Sequence, residues 1–196
     1  LYLVMNIFVF DNVTNTLRIN DYEILLVKEF AKLWDKKRNI CKEDKTGEKR
    51  LKAYKELTYI YLTLDFKSPY FKYAEQDKHE AALEDSGLTE DDLKNDDFRA
   101  AYHKYDEIQN TDPILELIKT ANKTLRKTKI FLDSIDFIND VDADGRPLYK
   151  PKDVMADIGS ISKMRTELQA LEIAYKENLV ATTKLRGDNE PGFQDE

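Results

Sequence analysis

Nucleophilic catalysis needs a nucleophile, a base beside it and a third group that holds the base, and this chain of 196 residues offers few candidates. Its one cysteine, Cys41, lies in a lysine-rich segment whose cations would make a thiolate reactive, but an exposed loop lacks the walls of an active site. His79 and His103 each fall in a charged helical stretch with no second histidine or cysteine cluster to complete a zinc site, so both read as surface residues. Six glycines and no glycine-rich loop exclude the usual phosphate cradles. The run Asp140-Val141-Asp142-Ala143-Asp144-Gly145 has the oxygen-ligand spacing of the first half of a calcium loop. Its second half fails, because proline stands at the eighth and twelfth positions, Pro147 and Pro151. Aspartate and glycine are also what a turn between antiparallel helices uses, so a plain turn is the preferred reading over a calcium site. The sequence nominates no catalytic, cofactor-binding or metal-ligating residue, and it reads as a non-enzyme.

The aromatic series Tyr54, Tyr59, Tyr61, Phe66, Tyr70, Phe71 and Tyr73 could stack on single-stranded bases, but no cationic groove follows it and aromatics at this spacing read first as core. The net charge of −7 excludes a general binder of nucleic acid or of anionic membranes, leaving room only for a local basic patch. Charge is also unevenly placed. From Asp35 to Lys55 nine Lys or Arg stand against four acids, and from Glu75 to Asp97 two stand against ten. If those segments lie on opposite flanks, each can meet its complement only on a neighbouring copy, a contact of the kind that builds rings. A single cysteine and the absence of an apolar run longer than Leu1 to Phe10 fit a soluble protein of a reducing compartment without a secretory leader.

The elements that would carry these residues are mainly α. Residues 1–19 read as a β-hairpin, with Asn6 to Phe10 and Thr16 to Ile19 paired through the turn-forming Asp11 to Asn15. Met5 stands just before it, which allows initiation there or at a non-AUG codon. Residues 20–110 read as a helical cluster. Its first helix runs from Asp21 to about Arg38, its second from about Glu48 to Phe66, its third from Phe71 to Asp85 and its fourth ends near Gln109. Tyr59, Ile60 and Leu62 make the second helix apolar nearly all round, so it must be buried on several sides. Asp112-Pro113 is a strong helix start. Residues 111–182 then read as a long antiparallel helical hairpin with arms of roughly 40 Å. One seam runs through Ile114, Leu117, Ala121, Leu125, Thr128, Leu132 and Ile135, the other through Val154, Ile158, Ile161, Arg165, Leu168, Leu171 or Glu172, Tyr175 and Leu179. Residues 183–196 read as a flexible tail, and all four parts as elements of one domain.

The run from Tyr59 to Tyr73 (Tyr-Ile-Tyr-Leu-Thr-Leu-Asp-Phe-Lys-Ser-Pro-Tyr-Phe-Lys-Tyr) resembles a family of virion structural proteins of tailed bacteriophages, the crAss-like phages in particular. So do Asn6 to Asn12, Glu29-Phe30, Ala82 to Leu88 and Gly145 to Lys150, so that the resemblance covers most of residues 5–180. It implies a component of the virion, assembled in the host cytoplasm, of the kind that forms a ring of the head-to-tail connector or tail. The partners so implied are copies of itself and other virion proteins such as the portal or adjacent ring and tail proteins. No membrane and no specific nucleic acid is implied, although an acidic surface lining a DNA channel would avoid trapping the genome. The rival among binding proteins is an internal or head-associated cargo protein, or an assembly chaperone, of the same phage. A third reading, a small enzyme or nucleic-acid-processing factor, would require a concave site with perturbed titratable groups.

Overall fold

The computed structural model describes residues 7–11 and 16–187. The expected turn at 12–15 and the tail beyond 187 lie outside the described residues. The chain is mainly α with a short N-terminal hairpin. Strands β1 (Phe8–Asp11) and β2 (Thr16–Ile19) pair antiparallel with Phe8 opposite Ile19. Among the described residues seven helices follow: α1 (Asp21–Leu25), α2 (Lys28–Leu33), α3 (Leu51–Leu64), α4 (Glu75–Ser86), α5 (Asp96–Asn110), α6 (Pro113–Asp133) and α7 (Pro151–Gly187). The chain divides into two compact units at Asp112/Pro113. No described helix is long and apolar enough to cross a membrane.

In the first unit α3 is the axis of the core. Tyr59, Ile60, Tyr61, Leu62 and Thr63 are all buried, as an all-round apolar stretch requires. The hairpin belongs to this core. Ile7 and Phe8 are buried, and the Phe8 ring stands edge-on to Tyr61 and Tyr105 at 5.6 and 5.2 Å.

The helix expected from Asp21 to Arg38 is broken in two. Ile24 and Phe30 are both fully buried, yet six residues apart they would point roughly 120° apart on a continuous helix. Extended backbone at Val27 (φ −112°, ψ 120°) rotates the second piece so that both reach the core. A 3₁₀ turn at Lys37–Asn39 ends this stretch, and its Asn39 supplies what the start of α3 lacks. Arg50, the residue before α3, makes no side-chain cap, but the buried Asn39 Oδ1 accepts the Ala53 N–H at 2.7 Å. Gly47 is required nearby: its φ is +67°, and a Cβ there would lie 2.0 Å from the Lys36 carbonyl.

Helix α4 starts at Glu75 rather than Phe71, because Ser68, Pro69 and their neighbours form successive turns, with Ser68 Oγ donating to the Leu62 carbonyl at 2.6 Å. Gly87 ends α4 in the left-handed region. Asp92 accepts the Thr89 N–H and hydroxyl at 2.9 and 2.7 Å, but the element so started is only a 3₁₀ turn, Asp92–Lys94. Asn95 then caps α5 by accepting the Phe98 N–H at 3.2 Å.

In the second unit α6 begins at Pro113, and the 21 residues of α6 and 37 of α7 span roughly 31 and 55 Å. The arms are therefore unequal, and α7 remains helical through Gly187, past the point where a flexible tail was expected. The seam is only partly as spacing drew it: in α7 it is interrupted between Val154 and Leu168, and in α6 its phase shifts at the start. Val154, Leu168, Glu172 and Tyr175 are buried and Ala121, Leu125, Leu132 and Ile161 half-buried, whereas Ile158 and Arg165 are exposed. In the first turns of α6 the buried residues are Leu115 and Ile118, and Ile114 and Leu117 face solvent. Both pairs are three apart, so spacing alone could not choose between the phases.

Candidate functional site

Cys41 stands half-buried in the loop before α3, where its N–H donates to the Asp44 carbonyl at 3.0 Å. His103 lies on α5 with its ring edge-on to Tyr102 at 6.2 Å. His79 is more than a surface residue. Its Nδ1 lies 2.6 Å from the Tyr59 hydroxyl and its Nε2 2.7 Å from Glu90, which ties α4 to α3 and to the segment after Gly87. A carboxylate, an imidazole and a hydroxyl in line is the order of a nucleophile relay. Here the hydroxyl is a buried phenol whose acidity is weakened by burial first and by Tyr102 and Glu90 next, so the chain works as a structural tie. The sequence carried no signal for this group, since its members are 11 and 20 residues apart.

The Asp140–Gly145 loop spends its carboxylates on its own backbone. Asp142 Oδ1 accepts the N–H groups of Asp144 and Arg146 at 2.9 and 2.8 Å, and Asp140 Oδ2 accepts that of Asp136 at 2.8 Å. Gly145 takes the positive φ the turn needs, and Val141 pairs with Pro147. Among the described residues no group of three or more His, Cys, Asp or Glu is placed to hold a metal ion.

The aromatic series is core in part, with Tyr70 and Phe71 half-buried and Tyr54 and Tyr73 exposed. Tyr59, Tyr61 and Phe66 are buried, Tyr54 packs against Trp34 at 5.2 Å, and Tyr70 donates to Asp85 at 2.5 Å.

The two oppositely charged segments do not lie on opposite flanks; they meet inside the first unit. Arg38 forks onto the fully buried Glu56 at 2.5 and 2.9 Å, donates to Asn95 at 2.9 Å and lies 3.6 Å from Asp97. Lys52 and Lys55 add to the Thr89 hydrogen bonds that hold the Asp92 carboxyl below the usual range. The copy-to-copy pairing expected of these segments is thus met in part within one subunit, and ring closure cannot rest on them alone.

What the first unit does present is apolar. Val9 on β1 of a two-stranded sheet, and Tyr22, Leu25 and Leu26 (60% and 74% exposed for the two leucines) in and just after α1, the helix that follows β2, all face solvent. Sequence periodicity missed this set because it placed Leu26 on the buried face of a continuous helix. Comparison of the chain with known protein families, with curated proteins and with solved structures gave no match.

Proposed function

We propose that this chain is a non-enzymatic structural subunit of a tailed phage particle, assembled as an oligomeric ring of the head-to-tail connector or tail. Its contacts are with copies of itself and with neighbouring virion proteins such as the portal. The reading rests on the sequence resemblance, and the observation that best supports it is the exposed apolar set Val9, Tyr22, Leu25 and Leu26 beside a two-stranded sheet. A short sheet offers open strand edges to a neighbouring chain, and the apolar side chains flanking it would be buried by the same neighbour.

The test is incorporation. Deleting the hairpin would remove Phe8 from the core, so substitution of the exposed residues is the cleaner probe. Leu25→Asp with Leu26→Asp should leave the circular dichroism and melting temperature unchanged and abolish entry into particles. Normal incorporation of that variant, or the absence of the wild-type chain from purified particles, would overturn the proposal.

A further inference from the structure

Helix α6 and the loop after it divide charge into two blocks. From Leu117 to Leu132 there are five cations and no carboxylate, and from Asp133 to Gly145 five aspartates and no cation. At 100° per residue Lys123 and Lys127 lie roughly 160° from Leu125, on the side of α6 turned away from the seam. Both are exposed, as is Lys129, with Arg126 half-exposed beside them. Among the described residues none of these four has a carboxylate within ion-pairing distance, in contrast to Lys32, Lys36, Arg38 and Lys94 of the first unit. The Asp136 carboxyl is kept below its usual range by hydrogen bonds from Asn139 and Ile138. Close to where the blocks meet sit exposed apolar side chains, Ile130 and Phe131 near the end of the first and Phe137 and Ile138 in the second, the last 84% exposed.

We propose that this end of the helical hairpin docks on a second copy of the chain, the cationic face of α6 in one copy lying against the aspartate-rich loop of the other. The surface carries both halves of its own complement on either side of an apolar centre. A two-fold contact through Ile130 and Ile138 therefore forms the charged match twice while covering side chains that water now surrounds. Charge sets the pairing and its direction, and apolar burial supplies the larger part of the affinity. A phosphate backbone is the other polyanion that four cations on a helix could meet. It is disfavoured because five carboxylates follow immediately, Asp133 at the end of α6 and four in the loop after it, and would repel it, and because the chain as a whole is acidic. The inference does not depend on the virion reading, since it concerns the purified chain alone.

Sedimentation velocity of the full chain at about 50 mM and about 500 mM salt tests it. Two charge reversals avoid the carboxylates that hold the turn: Lys123→Glu with Lys127→Glu on the helix, and Asp133→Lys with Asp144→Lys at the loop. The wild-type chain should self-associate, more weakly at high salt. Each reversal should weaken association on the order of tenfold or more, and an equimolar mixture of the two variants should associate again. A wild-type chain that stays monomeric at low salt overturns the proposal. So does a helix reversal without effect on association, or a mixture that fails to recover although both variants keep wild-type circular dichroism. A monomeric chain that retards duplex DNA in a gel, and loses this with Lys123→Glu and Lys127→Glu, would overturn it in favour of a nucleic-acid surface.

Discussion

Asn122 of α6 donates from Nδ2 to Glu172 of α7 at 2.9 Å, across 50 residues of sequence, and Glu172 is buried in the seam. A buried polar pair at one level of a mainly apolar seam fixes the register of two helices, because sliding by a turn takes both groups from their partner and sets them against apolar side chains. Asn122→Ala should therefore cost about 1–3 kcal/mol, the penalty for a buried carboxylate that loses a donor. The double replacement Asn122→Leu with Glu172→Leu should be close to neutral in stability. Thermal unfolding followed by circular dichroism checks both, and equal losses in the two variants would contradict the pairing.

The Arg38–Glu56 fork is the corresponding fixed point of the first unit. Glu56 is fully buried, so Arg38→Ala leaves a carboxylate without its cation and should cost roughly 3–5 kcal/mol in urea unfolding. Lys36→Ala, which removes an exposed pair with Glu48, should cost less than about 1 kcal/mol.

Along the helical hairpin the structure ranks substitutions that periodicity treats as equal. Leu168→Asp places a charge in a buried site and should cost several kcal/mol. Leu125→Asp, half-buried, should cost less, and Ile158→Asp, exposed, close to nothing. A large loss at Ile158 would show that its face is covered.

Alkaline titration tests the buried phenols. Tyr70 is pushed up to about 12, by its hydrogen bond to Asp85 first and by burial next, and burial raises Tyr59, Tyr61 and Tyr105 in the same direction. A folded state that holds these protons more tightly is favoured fully below the ordinary tyrosine value of about 10, and that stabilisation is lost as pH rises through the folded values. For Tyr70 the window runs from about 10 to about 12. Stability by urea titration should fall across it, and Tyr70→Phe should flatten the fall.

How far these features were legible depends on whether they are local. The all-round burial of Tyr59 to Leu62, the helix start at Asp112-Pro113 and the hairpin strands follow from residue type and spacing, and each stands in the structure. The break at Val27 was not legible, because Leu26, Phe30 and Leu33 fit one helical face and only the shared core shows that Ile24 must be buried with them. The burial of Leu115 and Ile118 instead of Ile114 and Leu117 is a choice between equal spacings. The His79 tie, the Asn39 cap and the meeting of Arg38 with Asp97 join segments up to 59 residues apart, which no local pattern encodes. The candidate site suffered most: the exposed apolar set around the hairpin emerged only when the break at Val27 turned Leu25 and Leu26 to solvent.

The most direct test of the structural-subunit account is the amount of this chain, relative to the portal protein, in purified particles measured by quantitative mass spectrometry. The account predicts a constant ratio across preparations, equal to that of a closed ring and unchanged by extensive washing. A chain abundant in infected cells but absent from the particles, or present in amounts that vary between preparations, would contradict it.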